Sequence, residues 1–355
     1  MELRIAMIGA SGSGKTSFMS GLYHHFVHEK RHNDNFGIAP ISDGGDTALA
    51  VKQFSNLAKI VVHGEFPLGT ADSTNYKFQL THNDSPVCLF DWMDYRGGAI
   101  EELFNESGTT PEDSYNVRFA IDNSDAVVIF VDAVQLIEYE SNIKARKYSG
   151  ILVANQLMEV LRQDYMGGKQ LNILIVLTKC DASIIEGRWR ENHYELLIKR
   201  AKDLLTPTID ICHSKRWKCA IAPTGVVGVG NVETEKIRSG SSSRSGFSNE
   251  ILDDPEPFGQ NAALFYLIGS ILKNACHNSQ QQIEMIRREV EEMLRNKGRL
   301  SDIWKKLRGK ENVDQIVQIK INQMNGIQNT FRAYERPISI MFDRSMESVR
   351  LLNIW

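Results

Sequence analysis

Short apolar, β-rich runs punctuate the first two-thirds of the chain: LRIAMIG (3–9), YKFQLTH (76–82), VCLFDW (87–92), AVVIFVD (126–132), LNILIVLT (171–178) and WKCAIAP (217–223). Segments of helical texture separate most of them: TSFMSGLYHHFVHEK after the first, the stretch around 138–164, and RWRENHYELLIKRAKDLL before the last. A strand apolar at every position needs cover on both faces. Strands that alternate with helices imply βαβ crossovers and a mostly parallel sheet. YKFQLTH alternates instead and lies close to VCLFDW, which predicts an antiparallel edge hairpin. The expected fold is α/β, three layers deep, with a mixed, mostly parallel sheet of about six strands and helices on both faces.

Two later stretches break this rhythm. GVGNVETEKIRSGSSSRSGFSNEILDDPEPFG (228–259) is rich in Gly, Ser and charge and has no period, so a flexible loop is expected there. The helix NAALFYLIGSILKNA (261–275) should return to the sheet. From about 279 apolar residues recur at helical spacing, as in Ile283, Ile286, Val290 and Met293. These patterns divide the chain into a main domain, 1–278, and a helical C-terminal appendage, 279–355, the latter a helical hairpin broken near Gly298 and Gly309. Within the main domain, 31–60 reads as an insertion that carries NDNFGIAPISDGGDT and then a helical stretch.

Bulk properties exclude several classes. Charged residues are 24% of the chain and the formal net charge is −3, so no global field draws it to nucleic acid. The longest apolar run, AALFYLIGSIL (262–272), is shorter than the roughly 20 residues that span a bilayer. MELRIAMIG reads as a strand rather than a secretory leader. Five cysteines without a CxxC pair suit buried thiols in a reducing cytoplasm, the expected location. His24, His25, His28 and His32 read as a polar stripe on the first helix rather than a metal site. Arg287, Arg288, Trp304, Lys305 and Lys306 read as a solvated helical face.

The run Gly9-Ala10-Ser11-Gly12-Ser13-Gly14-Lys15-Thr16 fits GxxxxGK[ST], with a strand before it and an amphipathic helix after it. Glycines let successive backbone N–H groups converge on phosphate oxygens, and the helix N-terminus adds partial positive charge. The candidate phosphate contacts are Ser11, Gly12, Ser13, Gly14, Lys15, Thr16 and Ser17. Lys15 should reach the β- and γ-phosphates, and the Thr16 hydroxyl should ligate Mg²⁺.

VCLFDWMDYRGG (87–98) runs from a strand into Asp94-x-x-Gly97. An aspartate at the end of a neighbouring strand can support the magnesium, and a glycine three residues on can offer its N–H to a γ-phosphate. Such a loop changes shape when that phosphate leaves. Asp91 competes for the metal role; its spacing from Gly97 favours Asp94.

Together CLFDWMDYRGG, GASGSGKT and the later TKCD resemble the third, first and fourth motifs of P-loop GTPases of the translation-factor-related, Ras-like class. The resemblance covers about residues 3–275 and rests on some two dozen positions. It implies a Ras-like G domain. It also implies that Asp181 accepts hydrogen bonds from guanine N1–H and the 2-amino group, with the Lys179 stem over the purine. A bidentate carboxylate contact of this kind is strongly directional, and adenine lacks both donors. Thr178 stands where the family usually has Asn, as in dynamin-like GTPases, which should weaken one contact near the cradle. Ala222-Pro223-Thr224 is the counterpart of the fifth motif, whose main chain would reach guanine O6. A switch threonine, Thr70 in preference to Thr74, would ligate Mg²⁺.

Where Ras-like enzymes place a water-orienting Gln the chain has Gly98, which implies slow intrinsic turnover. Arg96 is a candidate to neutralise transition-state charge. The insertion and the PLGT loop also resemble bacterial GTPases encoded as accessory or paired modules in conflict systems. The expected function is GTP binding and Mg²⁺-dependent hydrolysis to GDP as a conformational switch, with a protein partner engaged through 279–355 and self-association as an additional way to complete the site. A non-hydrolysing GTP-binding scaffold and a P-loop nucleotide or small-molecule kinase are the alternatives.

Overall fold

The computed structural model describes residues 1–28, 35–41, 74–94, 121–164, 170–182, 193–228, 232–237, 246–251, 256–295, 313–346 and 349–351. Its strands are β1 (Glu2–Ile8), β2 (Phe36–Ile41), β3 (Thr74–His82), β4 (Ser85–Asp94), β5 (Ala126–Asp132), β6 (Asn172–Thr178), β7 (Lys218–Pro223), β8 (Val232–Ile237), β9 (Gly246–Ile251) and β10 (Arg350–Leu351). Its helices are α1 (Lys15–His28), α2 (Ala133–Glu138), α3 (Asn142–Ser149), α4 (Ile151–Asp164), α5 (His193–Leu204), α6 (Thr206–Lys215), α7 (Gln260–Arg295) and α8 (Val313–Ser345).

Eight strands form one sheet in the order β10-β7-β6-β5-β1-β4-β3-β2. The five central strands, β7 to β4, are parallel to their neighbours, and the strands at both margins are antiparallel. The expected α/β architecture is therefore observed. Every residue of β5 and of β6 is buried, as continuous apolar runs require. Strand alternation then sorts the side chains. Val127, Ile129 and Val131 join a core with Leu136, Ile151, Leu157, Leu197 and Ile211 from α2, α4, α5 and α6. On the opposite face Phe130 meets Phe18 of α1 edge-on at 5.3 Å, and Phe18 also lies 5.8 Å from Trp92. Burying one such ring contributes about 1.5–3 kcal/mol.

The predicted hairpin of β3 and β4 is present, but it is not the edge. β2 pairs antiparallel outside β3 and occupies the margin. FGIAPI carries Pro40, which cannot donate to a ladder and so suits an outermost strand. The proline and the surrounding turn-forming residues hide this strand from a periodicity reading of 31–60. A second difference lies in 228–259, expected as a loop: β8 and β9 pair there as an antiparallel ribbon. VETEKI holds β-branched residues among charges, and the Gly/Ser composition of its surroundings masks them.

The chain forms two compact bodies, Met1–Leu267 with Asp343–Trp355, and Ile268–Phe342. The division thus falls earlier than the expected 278/279 boundary, and the last residues belong to the first body. Helix α7 crosses 279 without a break. The texture change there marks a shift from burial on all sides to burial on one side, with no Gly, Pro or cap to stop the helix. In the second body Met341 and Phe342 lie over Gly269, and Lys320 bonds Glu289, so α7 and α8 run antiparallel. Gly298 and Gly309, the expected hairpin breakers, lie outside the described residues. Arg287 and Arg288 pair with Glu284 on their own helix; Trp304, Lys305 and Lys306 lie outside the described residues. No helix among the described residues is long and apolar enough to cross a membrane.

Candidate functional site

In an open parallel sheet, ligands gather at the carboxyl ends of the strands, where the winding direction reverses. Here the chain passes from β1 to β4 on one side and then to β5 on the other, so the reversal lies between β1 and β5. The loop after β1 is the glycine-rich run. Gly12 and Gly14 have φ of +74° and +88°, in the left-handed region where a Cβ is strained. A Cβ on Gly14 would also come within 3.1 Å of Thr178. Helix α1 begins at Lys15, which places Lys15, Thr16 and Ser17 in its first turn, at the positive end of the helix dipole.

Lys15 is only 5% exposed. Its ammonium folds back on its own loop and donates to Gly9 O at 2.9 Å and Ala10 O at 3.4 Å. A buried ammonium is tolerated when it is hydrogen-bonded, and these carbonyls supply that. The Ser13 hydroxyl is buried with no hydrogen-bond partner among the described residues.

Strand β6 brings the second group. The Thr178 hydroxyl donates to Ser13 O at 2.7 Å and lies 3.2 Å from Val131 O. Threonine thus bonds the main chain of the cradle directly at the position where the resemblance leads one to expect asparagine. Lys179 takes the left-handed conformation, φ +59°, and its ammonium meets Asp132 Oδ2 at 2.5 Å. Asp132 ends β5 and also caps α2, its Oδ1 accepting from Gln135 N at 3.1 Å. This tie of Lys179 to Asp132 is absent from the sequence expectations, although Asp before AVQLIE is a legible helix-start signal.

Asp181 is 5% exposed. Its Oδ2 accepts from Val226 N at 2.6 Å and Val227 N at 2.8 Å. Those amides belong to Thr224–Gly228, the loop after β7. Further bonds close the two loops on each other: Cys180 N donates to Thr224 O, and Thr224 N donates to Leu177 O. Gly225 packs so closely on Asp181 that a Cβ there would lie 2.7 Å from Asp181 Cγ. Burial pushes the Asp181 carboxyl above its ordinary 3.8, while the amides of Val227, Asp181 itself, Val226 and Gly228 pull it down. Because the folded value is the higher one, the charged carboxylate carries a stability cost. That cost is fully present above the folded pKa and is relieved as pH falls through it.

Of the fifth-motif candidates, Thr224 opens the loop after β7, its N–H donating to Leu177 O. Ala222 and Pro223 are inside β7, in register with Val176 and Leu177. Proline has no N–H to offer, so the loop amides begin beyond Pro223. The residues that sequence reasoning missed here are Gly225, Val226 and Val227.

For the metal candidates, β4 runs parallel to β1 with Asp94 opposite Met7 and Asp91 opposite Arg4. Asp94 thus ends its strand beside the start of the phosphate loop, and Asp91 lies back along the sheet, 3.9 Å from Lys77. Thr70, Arg96, Gly97 and Gly98 lie outside the described residues, as does the side chain of Asp94. No group of three His, Cys, Asp or Glu that could hold a metal ion occurs among the described residues.

No family model matches the chain, and no curated protein matches it. Among solved structures it is similar to the GTPase-like domain of Ski7 from S. cerevisiae, whose structure holds GTP, at 12% identity and a TM-score of 0.33. The likeness covers 63% of this chain and 43% of that one.

Proposed function

We propose that this protein binds GTP and hydrolyses it to GDP and phosphate, and that it works as a conformational switch read by a protein partner through residues 279–355. The observation that carries the reading is the Thr178–Ser13 bond, which draws the loop after β6 against the phosphate cradle. Asp181 then stands three residues from the cradle contact, joined to the loop after β7.

Each group has a part. The cradle amides and the first turn of α1 take the phosphates. Lys15 exchanges its loop carbonyls for β- and γ-oxygens, and the buried Ser13 hydroxyl offers one more bond. Asp132 holds Lys179, whose stem lies along the purine, and Asp181 reads the guanine edge. Hydroxyl and carboxylate oxygens are the donors that magnesium prefers. The set fits that ion: Thr16 lies in the first turn of α1, which follows β1, Asp94 ends β4, the strand parallel to β1, and Thr70 is the proposed switch ligand. Magnesium bound there would neutralise charge on the β- and γ-phosphates. Gly98 supplies no side chain to orient water, so slow turnover is expected without a partner, and Arg96 is the proposed charge-neutralising residue.

Competition among GTP, GDP, ATP and XTP for the purified protein tests the assignment. GTP and GDP should displace a labelled guanine nucleotide, with ATP and XTP at least about tenfold weaker, as unpaired polar edges require. Equal competition by ATP would leave only a generic triphosphate holder. Phosphate release at high protein concentration then separates the switch from a non-hydrolysing scaffold, the alternative that Gly98 keeps open.

The raised Asp181 pKa adds a pH signature. Guanine needs the charged carboxylate, so the GTP-to-ATP affinity ratio should begin to fall at a pH above the ordinary aspartate range. Triphosphate ionisation cancels in that ratio. A ratio that holds steady until the ordinary range contradicts base reading by a buried carboxylate.

A further inference from the structure

Gln260 opens α7 and is 1% exposed. Its amide Nε2 donates to Gly225 O at 2.7 Å. The same carbonyl accepts from Phe258 N at 2.9 Å, and Gly225 N donates to Phe258 O at 3.1 Å. Gly225 O and Val226 N belong to one peptide unit, which is planar and trans, so the carbonyl and the N–H point in opposite directions. Fixing Gly225 O therefore aims Val226 N–H, and its target is Asp181 Oδ2, 2.6 Å away. On its other side Gln260 packs against α1: a Cβ on Gly21 would come within 2.9 Å of Nε2. The next residue, Asn261, bonds His25 of α1 at 2.7 Å, and Phe265 meets Phe26 edge-on at 5.6 Å.

We propose that Gln260 is a positioning residue for base recognition: through the rigid Gly225–Val226 peptide it orients the Asp181 carboxylate and registers the base-reading loop against the helix that carries Lys15. The inference rests on the guanine reading of Asp181. No motif or periodicity in the sequence points to it, because Gln260, Gly225 and Gly21 are brought together only by the fold.

Gln260→Leu keeps much of the volume and deletes the donor. GTP affinity should drop about tenfold, the scale of one buried hydrogen bond and the misplacement it allows. Affinity for inorganic tripolyphosphate should stay within about twofold, because the cradle amides and Lys15 are untouched. The GTP-to-ATP preference should fall in step with the GTP affinity. Gln260→Met serves as a second variant with a more adaptable side chain. Equal loss of GTP and tripolyphosphate, or failure of both variants to fold, makes Gln260 a general bond of the fold and overturns the inference. Unchanged GTP preference in a folded variant overturns it alone. If the unaltered protein holds GTP and ATP alike, the guanine reading itself fails, and the inference goes with it.

Discussion

Lys15→Met is expected to weaken binding of any nucleoside triphosphate by about a hundredfold, measured by calorimetry or by displacement of a fluorescent nucleotide. The ammonium is buried and solvated by two carbonyls of its own loop. A phosphate entering the cradle replaces those neutral acceptors by anionic oxygens. A charge-assisted hydrogen bond contributes about 1.5–3 kcal/mol, and the Coulomb attraction is stronger in a site from which water is excluded. About 3 kcal/mol corresponds to roughly two decades of affinity. Methionine keeps the apolar stem in place, so the nucleotide-free protein should melt near its usual temperature. GTP, ATP and tripolyphosphate should all suffer alike, because the lysine sees phosphate and no base. A triphosphate affinity within a factor of three of the unaltered protein would remove the cradle from the account.

The second large effect is a change of base. Asp181→Asn should turn a preference for guanine into one for xanthine, and the arrangement around the carboxylate says which way the new amide points. Oδ2 receives two amides, from Val226 and Val227. In asparagine the carbonyl oxygen must occupy that place, since an NH₂ there would face two N–H donors. The side-chain nitrogen is then left where Oδ1 stood. Guanine presents N1–H and a 2-amino group, so donor would face donor. Xanthine carries a carbonyl at C2, which accepts. Losing a charge-assisted pair and opposing two donors costs about 2–4 kcal/mol, or between tens and a thousandfold in GTP affinity. Tripolyphosphate should bind the variant as before. A base preference that Asp181→Asn does not move would mean that TKCD does not read the purine.

The legible parts of this protein were those written in consecutive residues. GASGSGKT between a strand and a helix needs only local chemistry, and the strand–loop–helix of β1 and α1 follows from it. Continuous apolar runs announced β5 and β6, because burial on both faces leaves no alternation to confuse with a helix. What escaped was decided at long range or masked by composition. Pro40 and its turn-forming neighbours concealed β2, which is a strand because β3 offers it a ladder. Serines and glycines concealed β8 and β9. Residues 279–355 read as helical throughout, yet Arg350–Leu351 pairs with β7, a partner that nothing local names. In the candidate site, TKCD was visible and its fastening was not. The bonds from Lys179 to Asp132, from Val226 to Asp181 and from Gln260 to Gly225 join residues tens of positions apart. Ala222, Pro223 and Thr224 span the end of β7 and the start of the loop after it, and likeness alone did not point to Val226 and Val227, the amides that fasten Asp181.

The return of β10 to β7 makes the helical body an excursion from the sheet rather than a tail, since the chain leaves at 267 and comes back at 343. A deletion from 268 onward therefore does two things at once. It discards the helices, and it strips β7 of its outer partner, exposing an unpaired margin on the strand that leads into the loop fastened to Asp181. A phenotype from such a truncation confounds a lost partner surface with a loosened pocket, and only an internal excision that spares 343–355 can tell the one from the other.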